Sequence, residues 1–234
     1  MTTIILVHGS FQGSWIWQPT AKVLRKLGHT VYTPTLDGCA ERSHSLREGI
    51  SVTSAAEELS ALVWYEDLSN VVIVGTSSGG MVAAKTAELA RDRIKRITFV
   101  DALVPQPGES TQNIVQRSES AEPYKVTKFT RGPTKKDLAN RLFGELKGKQ
   151  KQWAIERATP HPHGLSDVMA RELQKFWSVS WSNSTVIYCT HSENPPKSHQ
   201  RRTAKSLKAN WIEMDAGHYP MLTHAGELAH LIID

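Results

Sequence analysis

Six short runs of β-branched and aliphatic residues, each bounded by turn residues, constrain this chain more than any other feature. They are Thr3–Val7, Thr30–Thr33, Val71–Val74, Arg96–Val100, Thr185–Tyr188 and Asn210–Met214. The runs are almost continuously apolar, without alternation, as in strands covered on both faces of a parallel sheet. Helical patterns lie between them. Pro19–Leu27 ends at Gly28, and Ser54-Ala55-Ala56-Glu57 reads as a capping box opening a helix toward Val63. Gly79–Arg91, Ser198–Lys208 and Leu222–Ile232 complete the set. Parallel strands need crossovers, and helices supply them with right-handed sense. The expectation is an α/β chain with a doubly wound, mostly parallel sheet of about six strands.

The segment from Pro105 to Ser182 departs from this rhythm, with no strand-like run and three tryptophans, Trp153, Trp177 and Trp181. Long insertions in compact domains are commonly lids. The segment is expected to be a mostly helical cap between the fourth and fifth strands. That divides the chain into a first core part (1–104), the cap (105–182) and a second core part (183–234).

Lys and Arg number 28 against 23 Asp and Glu, a formal charge of +5. Much of the excess lies between Lys125 and Lys151, where the acids are Asp137 and Glu145. No nucleic-acid motif accompanies these cations, so they read as a solvated face and no nucleic-acid partner is expected. No apolar run approaches the ~18 residues of a membrane span, so no membrane partner is expected either. The first residues read as a strand rather than an export signal. Two cysteines, Cys39 and Cys189, are too few for a disulfide framework. Together these suit a cytoplasmic location.

The chemistry is concentrated after the third run. Val71–Val74 leads into Gly75-Thr76-Ser77-Ser78-Gly79-Gly80 and then the helical Met81-Val82-Ala83-Ala84. This is G-x-S-x-G between strand and helix, the context of a nucleophile elbow. A turn that tight crowds the positions two residues either side of the serine, hence the glycines. The helix N-terminus then faces the place where negative charge would develop. Ser77 is the candidate nucleophile, and Ser78 would be one in a shifted frame. A hydroxyl needs a base. His218, in Asp215-Ala216-Gly217-His218-Tyr219-Pro220, follows the last run and so lies at the carboxyl edge of the sheet, as Ser77 does. An acid to orient the imidazole is expected after the fifth run, where Glu193 is the sole carboxylate between Tyr188 and Pro196; Asp101, ending the fourth run, is the rival. The backbone N–H groups of Ser10 and Ser78 are the candidate oxyanion donors. His8 reads as a residue that holds the Ser10 loop by hydrogen bonds.

Taken together, the chain resembles the α/β-hydrolases, and within them the branch of plant methyl esterases and hydroxynitrile lyases with bacterial esterase relatives. The residues that carry the resemblance are His8-Gly9, Gly13-Ser14-Trp15-Ile16-Trp17, Leu27-Gly28-His29, Gly75–Gly80, Val100–Pro105, Thr159-Pro160-His161-Pro162 and Gly217-His218. It implies the α/β-hydrolase fold with its cap, a Ser-His-acid triad, an apolar pocket and no cofactor or metal. The family usually places Asp in the acid loop, whereas here Glu193 stands two residues before Pro195.

Hydrolysis of a small carboxylic ester, hydrophobic or aromatic, is therefore the expected activity. The alternatives are a cyanohydrin lyase and a small-molecule binding protein without turnover. In the plant lyases a threonine stands in the first oxyanion loop and a lysine follows the catalytic histidine; here those positions hold Gly9 and Tyr219. Gly9, Phe11, Trp15, Trp153 and Tyr219 are the candidate pocket residues. A homodimer is an admissible assembly.

Overall fold

Each aliphatic run can bury both of its faces only with strands beside it and helices above and below. A computed structural model describes residues 1–116, 121–166, 170–181 and 183–234 of the chain. Its strands are β1 (Thr3–Val7), β2 (Thr30–Tyr32), β3 (Val71–Ser77), β4 (Ile94–Ala102), β5 (Lys125–Val126), β6 (Thr130–Gly132), β7 (His161–Pro162), β8 (Ser184–Cys189) and β9 (Asn210–Met214). Six of these form one sheet in the order β2-β1-β3-β4-β8-β9, and every pairing in it is parallel. The arrangement is the α/β-hydrolase fold.

Alternate residues of each strand serve opposite faces. Ile5 and Val7 join a core completed by α2 (Val52–Tyr65) and α3 (Gly79–Leu89), through residues such as Leu59, Val63 and Met81. Ile4 and Leu6 join the other core, with Ala21 and Leu24 of α1 (Gln18–Lys26) and Leu228 and Ile232 of the C-terminal helix Ala225–Ile233. These aliphatic side chains are essentially inaccessible to water, each stabilising the fold by about 1.5–3 kcal/mol.

Three expectations are corrected. The second helix begins at Val52, and its capping box is Ser51 with Ser54, each side chain accepting from the other's backbone N–H at 3.1 and 2.9 Å. Ser54 is thus the third residue of the helix rather than its cap, because the extended backbone needed at a cap falls at Ser51. The last helix is broken into Pro220–Thr223 and Ala225–Ile233 at His224. The segment between β4 and β8, expected to be mostly helical, contains the helix Gly148–Arg157 but also an antiparallel sheet, β5-β6-β7. Those strands are two or three residues long and include Lys, Arg and Pro, so no apolar run announces them. Residues 117–120, 167–169 and 182 of the expected cap lie outside the described residues.

The basic residues of this segment are partly matched. Arg141 donates to both oxygens of Asp137, at 2.8 and 2.5 Å, and Lys136 reaches Glu122 at 3.0 Å. Among the described residues, no helix is long and apolar enough to cross a membrane.

Candidate active site

At the end of β3 the backbone turns so sharply that Ser77 adopts a left-handed conformation, φ 51°. A non-glycine residue there is strained, and such strain persists where the surroundings hold it. Its neighbour across the turn is Gly9, in the loop after β1. A Cβ added at Gly9 would sit 2.6 Å from the Ser77 Cβ, so this loop can lie against the serine only with glycine at that position.

The adjacent strand has its own irregularity. β3 and β4 pair in register from Val72 with Arg96 to Thr76 with Val100, and the next pair is Ser77 with Ala102. Asp101 is the extra residue of this bulge, with φ 44° and no exposure to solvent. Bulges re-aim side chains, and aspartate tolerates the left-handed region better than most residues. The Asp101 carboxylate is thereby turned to His218, whose Nδ1 lies 2.5 Å from Oδ2. The other oxygen, Oδ1, accepts from the buried Gln200 Nε2 at 2.6 Å. Gln200 also donates to the Pro195 carbonyl at 2.9 Å, tying the acid to the loop after β8.

Glu193 is not at the imidazole. It is exposed and, among the described residues, makes no hydrogen bond or ion pair. Its loop instead presents Ser192, whose Oγ is 3.5 Å from His218 Nδ1 and donates to the Asn194 carbonyl. One residue, Asn194, separates Glu193 from Pro195-Pro196, and the place beside the imidazole is taken by Asp101 from the bulge in β4.

Burial alone would lower the pKa of His218. The hydrogen bond to Asp101, its charge and that of Glu145 outweigh burial and hold the imidazole above its ordinary value. With Nδ1–H donating to Asp101, Nε2 keeps its lone pair and can accept a proton. Ser77 and His218 line the same cavity.

Two loops flank the serine. Ser10 and Ser78 share a hydrogen bond between their hydroxyls at 2.9 Å, and Ser10 also meets Ser166 of the inserted segment at 3.1 Å. The Gly9 N–H is taken by the Gln12 side chain at 3.0 Å. Among the described residues, neither the Ser10 nor the Ser78 N–H has a hydrogen-bond partner. His8 is buried, donates from Nδ1 to the Gly9 carbonyl at 2.8 Å and accepts the Leu36 N–H on Nε2 at 3.0 Å. Desolvation pushes its pKa down to about 4, so the neutral form holds the loop in place.

The cavity over Ser77 has a volume of about 320 Å³, within the range of small-molecule sites. Phe11 and Tyr219 line it, and the segment between β4 and β8 adds Leu103, Val115, Tyr124, Arg131, Leu142 and Ser166. Trp15 and Trp153 do not line it. They pack edge to face on each other, 5.2 Å between ring centroids, with Phe143 against Trp15. Trp15 points into the α1 core because that helix stacks there, and Trp153 covers it from the Gly148–Arg157 helix. Gln12, Gln200 and Glu145 were missed from the sequence; Gln12 stands in the Ser10 loop itself, whereas Gln200 and Glu145 approach the site from distant parts of the chain that no local spacing marks.

The whole arrangement is that of the alpha/beta hydrolase family, whose model matches residues 4–231, and the chain belongs to that family. Relatives of the chain include named esterases and also an alpha-hydroxynitrile lyase of Arabidopsis thaliana, 25% identical over 114 residues. The chain is 34% identical over 118 residues to the carbendazim hydrolyzing esterase of Nocardioides sp. (strain SG-4G), a match spanning 50% of this chain and 49% of that protein. Polyneuridine aldehyde esterase of Rauvolfia serpentina is 21% identical with 98% of this chain and 94% of the relative covered, and Arabidopsis thaliana methylesterase 3 is 23% identical, covering 99% and 94%. Among solved structures, an extracellular alpha/beta-hydrolase from a Paenibacillus species superposes with a TM-score of 0.82 at 25% identity, over 100% of this chain and 98% of that one.

Proposed function

We infer that this protein is a serine esterase in which Ser77, His218 and Asp101 form the catalytic triad. Ser77 Oγ attacks the acyl carbon while His218 Nε2 takes its proton. The imidazolium, held by Asp101, returns that proton to the departing alcohol. Water activated by the same histidine then releases the acid from the acyl-enzyme. The tetrahedral oxyanion is stabilised by the Ser10 and Ser78 N–H groups, and the segment between β4 and β8 acts as the cap that excludes bulk water. The observation that carries this reading is the opening of the left-handed Ser77 turn and the Asp101-paired His218 into one cavity.

The aliphatic and aromatic walls favour a small hydrophobic or aromatic ester, and the methylesterases among the relatives direct the first trials to methyl esters. A lyase on this scaffold would need a side chain at position 9, where the contact with Ser77 leaves no room. The buried free cysteines Cys39 and Cys189 suit work in a reducing cytoplasm.

A panel of aryl and alkyl esters, with the matching amides and mandelonitrile as controls, tests the reading. Ester turnover that disappears in Ser77→Ala is expected. Cleavage of mandelonitrile without any ester turnover would overturn it.

A further inference from the structure

The loop bearing His218 is gripped from the cap by a carboxylate that the triad does not include. Glu145 lies in the turn just before the Gly148–Arg157 helix. Its Oε1 accepts the Tyr219 N–H at 2.8 Å. Its Oε2 occupies the space where a Cβ at position 217 would stand, so the contact depends on Gly217 having no side chain. Glu145 as a residue is exposed, yet its carboxylate is turned in against the Gly217-His218-Tyr219 backbone. On its outer side Glu145 shares with His218 and Tyr219 the lining of a second, more polar cavity.

We propose that Glu145 is a positioning residue that latches the cap to the histidine loop, fixing His218 over Ser77 and adding a second negative charge beside the imidazole. The latch has two separable parts. The hydrogen bond holds the backbone on the C-terminal side of His218, and any acceptor of the same shape serves for it. The charge favours the imidazolium that forms as Ser77 gives up its proton, and only the carboxylate supplies it.

Charged and titratable groups facing His218 are Asp101 on β4, Glu145 on the cap and Tyr219 on its own loop. His191 and Glu193 stand on the loop after β8, across the polar cavity. Arg141, in the same cavity, is engaged by Asp137, and His224 acts on Glu145 from the far side. Burial pushes the Glu145 carboxyl above its usual range, and the Tyr219 N–H and the charge of His218 pull it back down. Glu145 and His218 therefore each favour the other's charged form.

Glu145→Gln, Glu145→Ala, Gly217→Ala and the double variant Glu145→Ala/Gly217→Ala test this, with two readouts. The first is the imidazole pKa of His218 measured by NMR, which needs no substrate. In Glu145→Gln it is expected to fall by about half a unit or more, because a nearby negative charge is gone. An unchanged value overturns the charge part of the proposal whether or not the esterase reading holds.

The second readout, which rests on that reading, is the split between kcat and KM on an ester that the wild type turns over. Glu145→Ala is expected to lower kcat about tenfold or more with KM nearly unchanged, the signature of an interaction that acts in the transition state. Glu145→Gln should restore most of kcat. Gly217→Ala drives a methyl group into the carboxylate and should reproduce the Glu145→Ala defect, with the double variant no worse than either single change. A wild-type kcat in Glu145→Ala, or additive losses in the double variant, overturns the latch. Absence of ester turnover in the wild type is a failure of the esterase reading instead, and the NMR titration then decides the proposal.

Discussion

His218 Nδ1 lies 2.5 Å from Asp101 Oδ2, and the carboxylate is completed by Gln200 on its other oxygen. An imidazole bound on Nδ1 is fixed in the tautomer whose Nε2 can accept a proton. Asp101→Asn should therefore preserve the fold and lower kcat by about 10⁴, through loss of that tautomer. Glu193→Gln should leave kcat within about twofold of wild type, since an exposed residue away from the imidazole contributes little. Steady-state kinetics on one ester compares both variants, and the reverse pattern would return the acid role to Glu193.

The raised pKa of His218 sets the pH dependence of activity. Catalysis requires the neutral imidazole, so kcat/KM should fall as pH is lowered through the folded-state pKa of His218. The midpoint should lie above the ordinary histidine value of about 6.5. A midpoint well below that value in the free enzyme would contradict the Asp101 pairing.

Stability should also fall as pH is lowered, through other histidines. Desolvation lowers the pKa of His8 and His199 to about 4, and that of His161 well below its ordinary value. From about pH 6.5 down to about 4 the unfolded chain binds protons that these folded-state imidazoles refuse, so stability falls over that window. Calorimetric melting at successive pH values should show Tm declining there with uptake of about two to three protons on unfolding. His218 contributes with the other sign: its pairing stabilises below the unfolded histidine pKa and fades as pH rises through its raised value. A Tm that is flat between pH 6.5 and 4 would rule out the buried neutral histidines.

The sheet was legible in the sequence because two-sided burial leaves a continuous aliphatic imprint, as in Ile4-Ile5-Leu6-Val7 and Val71–Val74. Ser77 was legible because a crowded turn between strand and helix demands glycines at fixed offsets. Asp101 was visible only as a rival to Glu193. Its aim depends on a one-residue bulge against β3, and a shift of register leaves no mark in composition. The β5-β6-β7 sheet was not visible, because strands of two or three residues are too short to carry a period-2 signal. Trp15 and Trp153 were overread: an aromatic near the active-site loop fills a core as readily as it lines a pocket, and here each buries the other.

Gly9 offers a steric test of the oxyanion loop. Gly9→Ala places a methyl group 2.6 Å from the Ser77 Cβ and forces the loop away from the serine. Overpacking of this kind costs about 1–3 kcal/mol, and displacement of the Ser10 donor should lower kcat by about 10²–10³. Denaturant unfolding and kinetics measure the two effects separately. Wild-type activity in Gly9→Ala would show that the oxyanion is held elsewhere.

Intact-mass and peptide mass spectrometry after treatment with a fluorophosphonate tests the central assignment most directly, since such reagents phosphonylate an activated serine. One adduct per chain is predicted, on Ser77, at a rate that falls at least about 10³-fold in His218→Ala, which lacks the activating base. Neither adduct nor ester turnover should be seen in Ser77→Ala. Labelling of Ser78, or of Ser77 at the same rate with and without His218, would contradict the account.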